Sequence, residues 1–360
     1  MELLRDWFRR SFSDPQVVIL GVFLVVFFAI IVGLGAWLAP MFASIVVAYL
    51  LEAVVSRLQR WGLPRVFAVF IVFLIFLAVL FFLIFGLIPI VSRQLTQLVQ
   101  QVPNYLTQGQ EILRRLPETY PDLISVQQVD SLIAQLGQEA ANLGQLILGW
   151  SLASVASVFA LIVYLVLVPV LVFFLLKDKD EIIGWVTNRL PKERGLVNRV
   201  WVESEAQVAN YVRGKFVEIV IVGAVTYVTF ITLGLQYAAL LATMIGFSVL
   251  IPYIGAMVAT VPVALVAFFQ FGWGWEFGYV LIAYTIIQVL DGNVLVPLLF
   301  SEVVNLHPVA IILAILVFGG MWGFWGIFFA IPLATFVKAV INAWPSTHGK
   351  EEDETPQAEA

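Results

Sequence analysis

Between Tyr279 and Lys338 a few polar residues interrupt two long apolar runs, and Asp291 is the one with the most chemistry in it. A carboxylate inside a nearly charge-free apolar region is costly, so it normally faces a water-filled path or a partner. Its affinity for protons is readily tuned by burial and by neighbouring charges, which suits binding a cation or shuttling a proton. Gln288, three residues earlier, falls on the same helical face, and Asn293 could add a carbonyl ligand. The competing role for Asp291 is structural: pairing with Arg213 or Lys215, or capping a broken helix. Upstream, Pro252 and Gly255 within Ile251-Pro252-Tyr253-Ile254-Gly255 would shape a turn whose bare carbonyls or half-helix ends could coordinate cargo. Downstream, Asn305 and His307 precede Pro308. His307 suits a turn and helix cap better than a pH sensor, although its side chain titrates in the right range. The cluster Gly319, Gly320, Gly323 and Gly326 permits tight helix packing, with a turn role layered on it.

Other chemistries are disfavoured by what the sequence lacks. There is no cysteine, so there are no thiol nucleophiles or thiolate metal sites, and two histidines, His307 and His348, are too few for a histidine-based metal centre. No phosphate-cradling glycine motif is present, so nucleotide hydrolysis is not expected. No enzymatic activity, catalytic residue, metal or cofactor is predicted. Any transport is then passive or driven by a gradient.

The elements that must position these residues follow from composition. The chain is 61% hydrophobic and 12% charged, with a mean hydropathy of +0.99. A soluble protein carries about twice that charged fraction. Several apolar runs reach the roughly 20 residues needed to cross a bilayer as a helix. The net charge of -5 is small, and no clustered basic face suggests nucleic acid. The fold class predicted is all-α: a polytopic membrane protein with about six full transmembrane helices plus two re-entrant or broken helical hairpins, about eight hydrophobic segments in total.

Residues 1–16, with Arg5, Arg9 and Arg10, form a cytoplasmic N-terminal segment, and residues 17–91 hold transmembrane helices one to three, with a return at Pro40. The Arg57, Arg60, Arg65 loop is cytoplasmic by the positive-inside rule. Residues 92–150 change to Gln-rich amphipathic helices in which acids outnumber bases, an extracytoplasmic region read as a membrane-surface or oligomer-packing helix pair, or less readily as a ligand-capturing domain. Residues 151–176 form the fourth span, 177–215 a charged cytoplasmic section, and 216–345 a C-terminal transport region; residues 346–360 are an acidic tail expected to be disordered. Within the C-terminal region, Ala238 to Phe268 and Pro308 to Lys338 would each span about 46 Å as one helix, too long for a core of about 30 Å and too short for two crossings. A hairpin that enters and leaves on one face fits both, and it keeps both termini cytoplasmic. Two long kinked spans are the alternative.

Beyond these arguments, Tyr211-Val212-Arg213-Gly214-Lys215, Ile251 through Gly255, Gln288 through Pro297, Asn305-Leu306-His307-Pro308 and Gly319-Gly320 with Gly323, Gly326 and Pro332 together resemble the autoinducer-2 exporter (AI-2E) family of bacterial permeases. Phe174 through Asp178 matches as well, and the wording is nearest the PerM-type branch. The resemblance covers roughly residues 10 to 345. It implies an inner-membrane homo-oligomer, a pentamer by family habit, with hairpin-like elements and elevator-type transport. Members of the family have been linked to export of the signal autoinducer-2 and others to sodium–proton exchange, so the resemblance does not choose the cargo.

The reading that results is a gradient-coupled permease of the bacterial inner membrane, acting in efflux on a small polar solute or cation, with the lipid bilayer and copies of itself as partners. A sodium/proton antiporter, a passive channel and a non-transporting scaffold are the alternatives. Paired broken hairpins and a buried acid favour a carrier, because a scaffold needs neither.

Overall fold

The computed structural model describes residues 15–119, 125–135, 137–138, 142, 155–189, 195–252, 254–300 and 306–343. The basic N-terminal segment, Asn305, Tyr253, the acidic tail and much of the stretch 120–154 lie outside the described residues. Among the described residues every regular element is a helix. In chain order these are α1 (Pro15–Arg60), α2 (Arg65–Phe82), α3 (Ile88–Thr119), α4 (Val155–Lys177), α5 (Lys179–Thr187) and α6 (Gly195–Thr232). The C-terminal part adds α7 (Ala238–Ser248), α8 (Ile254–Phe271), α9 (Trp275–Leu290), α10 (Val296–Phe300), α11 (Pro308–Phe328) and α12 (Ala330–Ala343). Two short π-helical segments, Leu83–Leu87 and Asp291–Leu295, join α2 to α3 and α9 to α10.

Six helical stretches among the described residues are long and apolar enough to cross a membrane, and α7 and α12 carry shorter apolar segments. Large apolar side chains such as Phe67, Phe70, Leu74 and Phe85 lie exposed along α2 and its extension. This is the surface a bilayer covers. The multi-span all-helical fold expected from composition is therefore observed.

The chain divides into two compact units, one built from Leu51–Lys177 and Lys215–Leu298, the other from Met1–Leu50, Asp178–Gly214 and Leu299–Ala360. In the first unit, Arg65 stands at the start of α2. Its guanidinium lies 3.4 Å from the Glu52 carboxylate and donates to the Leu176 carbonyl at 2.8 Å. The start of α2 and the end of α4 are thereby held at one level, as antiparallel neighbours should be, and Phe73 meets Phe173 edge-on at 5.1 Å. The core of this unit gathers Phe230, Leu241, Ile245, Val263, Val280 and Tyr284.

The polar helix α3 is docked on this unit. Gln94 accepts a hydrogen bond from the Leu240 N–H at the start of α7 (2.8 Å), and the Tyr105 ring stacks on Phe269 of α8 at 4.6 Å.

Both expected hairpins are present. Between α7 and α8 the chain reverses over five residues, and the Gly255 Cα sits so close to the Ser248 carbonyl that any Cβ would overlap it. Residues seven apart on a straight helix would be separated by about 10 Å. In the other unit, a Cβ on Gly326 would overlap the Phe318 carbonyl, and one on Gly319 would come within 2.9 Å of Ile327. Gly323, at φ 58° and ψ -131°, breaks the helix inside α11 and makes this reversal, so that the arms of the hairpin are Pro308 to Trp322 and the last turn of α11 with α12. The α7 arm has 11 residues and so reaches about 16 Å, half the depth of the hydrocarbon core.

One expectation about a break fails. Pro40 does not return the chain: α1 runs through it unbroken for 46 residues. Proline removes one ladder bond, which apolar helices tolerate. The Ser44 hydroxyl, one turn on, donates back to the Pro40 carbonyl at 2.7 Å, so this hydroxyl is satisfied within its own helix. Between Lys215 and Phe216, where the cytoplasmic section is expected to meet the transport region, α6 continues as one helix of 38 residues.

Candidate functional site

The site grows from α6, where the residues at 211, 215, 218, 222, 226 and 230 form one buried stripe at helical spacing. Half are apolar or aromatic, but Lys215 and Glu218 are charged and only 4% and 1% exposed. Spacing i, i+3 puts them on one face, and the ammonium stands 2.8 Å from the carboxylate. The contact is an ion pair rather than an aligned hydrogen bond. Lys215 also donates to the Val249 carbonyl at 2.8 Å. Val249 closes α7, so its carbonyl lies at the negative end of a short helix, where a cation is stabilised. A buried pair is costly to desolvate, and removing one partner costs about 3–5 kcal/mol. Two turns further on, the Thr226 hydroxyl is fully buried with no hydrogen-bond partner among the described residues.

The second wall is α9. Tyr284, Gln288 and Asp291 follow one another at i, i+4 and i+7 and share a face. The Tyr284 hydroxyl donates to the Ala256 carbonyl at 2.8 Å and accepts from Thr260 at 3.2 Å, which ties α9 to the turn of the first hairpin beside Gly255. One turn below, Gln288 Nε2 is buried without a hydrogen-bond partner among the described residues, as is Asp291 Oδ1. Asp291 opens the π-helical segment Asp291–Leu295, and such wide turns recur at functional sites because they re-aim side chains within an otherwise regular helix. The link from α9 to α6 is apolar: Ile287 packs in the same core as Val222 of α6.

The structure therefore ties α9 to the residue beside Gly255 through Tyr284, with Gln288 one turn and Asp291 two turns further along the same face. It does not bring in Asn293, which is exposed and whose amide donates to the Val289 carbonyl of its own helix at 2.9 Å. His307 is exposed at the N-cap of α11, where Nδ1 accepts from the Val309 N–H at 3.3 Å. Gly319, Gly320, Gly323 and Gly326 shape the second hairpin in the other unit. Arg213, weighed as a partner for Asp291, is engaged with Tyr49: its guanidinium donates to the hydroxyl at 3.0 Å and lies over the ring.

Glu218 and Tyr284 are the residues that sequence reasoning passed over, Glu218 because it stood near an expected span boundary; Lys215 entered only as a possible partner for Asp291. The signal was in the sequence: extending the Tyr211 spacing through Val222 and Phe230 places both charges on the buried face.

A polar locus of this kind, set between a broken hairpin and a distorted helix, is a transporter's feature, and comparison with known proteins agrees. The profile described as AI-2E family transporter matches residues 18–346. The chain belongs to the AI-2E transporter family. Among its relatives, the "Putative permease PerM" of Escherichia coli (strain K12) is 48% identical over 345 residues, which is 96% of this chain and 98% of that one. The "Putative transport protein YueF" of Bacillus subtilis (strain 168) is 27% identical over 328 residues, covering 87% of this chain and 86% of that protein. The family resemblance read from the motifs holds over nearly the whole chain, and membership makes this a multi-span membrane protein of a transport family. Both hairpins and the polar locus belong to the matched region.

Proposed function

We propose that this AI-2E family member is a gradient-coupled secondary transporter of the bacterial inner membrane, acting in efflux on a small polar solute or cation. The observation that carries this is Asp291: a carboxylate that opens a π-helical turn, its Oδ1 buried without a hydrogen-bond partner among the described residues, on the face of α9 that Tyr284 ties to a half-depth hairpin. Half-helix ends and unwound carbonyls at membrane depth are the coordination sites of carriers built on broken helices. Gln288 and the carbonyls near Pro252 and Gly255 complete the binding locus. The second hairpin, with Gly319 through Gly326, supplies a matching turn. Asn305 and His307 lie at the entry to that hairpin, where His307 acts as a cap. The Arg57, Arg60, Arg65 loop faces the cytoplasm with the C-terminus, and α3 faces the outside; with α1 unbroken through Pro40, the expected cytoplasmic N-terminus is not kept. The protein works as a homo-oligomer, as the family resemblance implies.

The test uses purified protein in sealed liposomes, wild type beside Asp291→Asn. Internal pH is followed as sodium, lithium or potassium is added outside, and uptake of small polar solutes is screened in parallel. A cation-evoked pH change lost in the variant establishes antiport through Asp291, and solute uptake lost in the variant establishes a solute carrier. Flux that is indifferent to Asp291→Asn contradicts the reading.

A further inference from the structure

The short helix α5 carries large apolar side chains in the charged section of the chain. Ile182, Ile183 and Trp185 are 39%, 50% and 60% exposed. Its nine residues reach about 14 Å, far short of a crossing, so spanning the bilayer cannot cover them. The chain fixes where this helix lies. A single residue, Asp178, separates it from Lys177 at the end of α4, and the Ile182 N–H donates to the Asp178 carbonyl at 2.9 Å, so helical turns resume at once. The end of α4 is in turn held level with the basic loop before α2, because Arg65 donates to the Leu176 carbonyl at 2.8 Å. α5 therefore begins at the membrane boundary and stays within its own length of it.

The charges of this segment are sorted around the apolar face. Lys179 stands three and four residues before Ile182 and Ile183, which places it on their side of the helix. Arg189, in the turn that follows, folds back along the helix: its guanidinium lies 3.8 Å from the centre of the Trp185 ring and donates to the Trp185 carbonyl at 3.1 Å. Asp180 lies on the opposite side, in line with Gly184 and Thr187 at i+4 and i+7, and Glu181 stands between the two faces. Cations that flank an apolar face bearing tryptophan, with an acid turned away, suit a helix lying in the plane of a bilayer surface. Their aliphatic stems bury with the apolar face while the charged heads reach the lipid phosphates. A protein partner fits less well, because lysine is depleted from protein–protein interfaces.

We propose that α5 is an interfacial helix that lays Ile182, Ile183 and Trp185 into an anionic lipid surface, with Lys179 and Arg189 on the phosphates of acidic headgroups. It anchors the connection between α4 and α6 to the bilayer, whatever the protein carries.

The chain has no cysteine, so single labels can be placed at will. Ile182→Cys and Gly184→Cys lie two residues apart on opposite sides of the helix, and a Cβ at Gly184 meets nothing within 4 Å. Each full-length variant is labelled with an environment-sensitive fluorophore and placed in nanodiscs of phosphatidylcholine, with or without phosphatidylglycerol. Lipids carrying a nitroxide on the acyl chain serve as the quencher. In the phosphatidylglycerol discs the label at 182 should be quenched and the label at 184 should not. Adding Lys179→Gln and Arg189→Gln to the first variant should lower its docked-to-free ratio about thirtyfold, at about a factor of five for each cation lost. Phosphatidylcholine discs should lower it likewise. Amide exchange of the wild-type protein needs no substitution, and α5 should exchange more slowly in the anionic discs.

Equal quenching at 182 and 184 overturns the proposal. So does quenching at 182 that ignores both the lipid charge and the loss of the two cations. A label at 182 that is shielded from water but untouched by the nitroxide lipid overturns it too, and makes the face a contact with protein, a second copy or another partner. Amide exchange of α5 that is the same in both kinds of disc overturns it without recourse to any variant.

Discussion

Replacing Gly255 by alanine tests the first hairpin by the sign of its effect. On a straight or gently kinked helix, glycine to alanine stabilises by about 0.8–1 kcal/mol, because alanine is the better helix former. In the observed fold the new Cβ overlaps the Ser248 carbonyl, which is backbone and cannot rotate aside. Forcing extra volume into packed structure costs about 1–3 kcal/mol and more where nothing can yield. With the clash at the upper end and the propensity gain subtracted, Gly255→Ala should destabilise by about 2 kcal/mol. Gly320 is the internal control: it lies in α11 and a Cβ there meets nothing within 4 Å. Gly320→Ala should therefore be neutral or stabilising by up to about 1 kcal/mol. The assay is equilibrium unfolding in mixed micelles of increasing SDS fraction, with both variants beside wild type. Opposite shifts of the two midpoints support the reversal between α7 and α8. Equal shifts toward greater stability would refute it and restore a continuous helix.

Other consequences are smaller and independent. Gly214→Ala would place a Cβ 2.6 Å from the Phe300 ring, and because a ring can move, a loss of only about 1 kcal/mol is expected in the same unfolding assay. Tyr105→Leu removes the stack on Phe269 and should cost about 1 kcal/mol, read as faster amide exchange in α3 without loss of α7 and α8. His307→Ala should cost about 1 kcal/mol of helix cap while leaving the pH profile of flux unmoved; a displaced profile would make His307 a sensor after all.

Much of this architecture is legible in the sequence because membranes impose strict rules. The apolar runs, the two 31-residue segments of awkward length and the turn residues at Pro252, Gly255 and Gly323 all announce themselves through length and backbone chemistry. What is not legible depends on context. Pro40 looks like a turn, yet an apolar helix can carry it at the loss of one ladder bond. Asn293 looks like a ligand, but its amide is within reach of a carbonyl on its own helix. Lys215 and Glu218 look like the end of a cytoplasmic segment because charge usually marks a boundary. Only the continuity of α6 shows that they lie on its buried stripe. The packing of Ile287 in one core with Val222 joins helices more than 60 positions apart in sequence, which helical periodicity does not report.

The central claim is that Asp291 opens onto water at membrane depth. The chain has no cysteine, so Asp291→Cys would be its single thiol, with Leu290→Cys and Val294→Cys as outward-facing neighbours, each more than half exposed in the bilayer-covered fold. Membrane vesicles of both orientations would be treated with a small charged thiol reagent. Modification at position 291 with the two neighbours unreactive is the predicted result. A position 291 thiol as inert as its lipid-facing neighbours, from both sides, would contradict it.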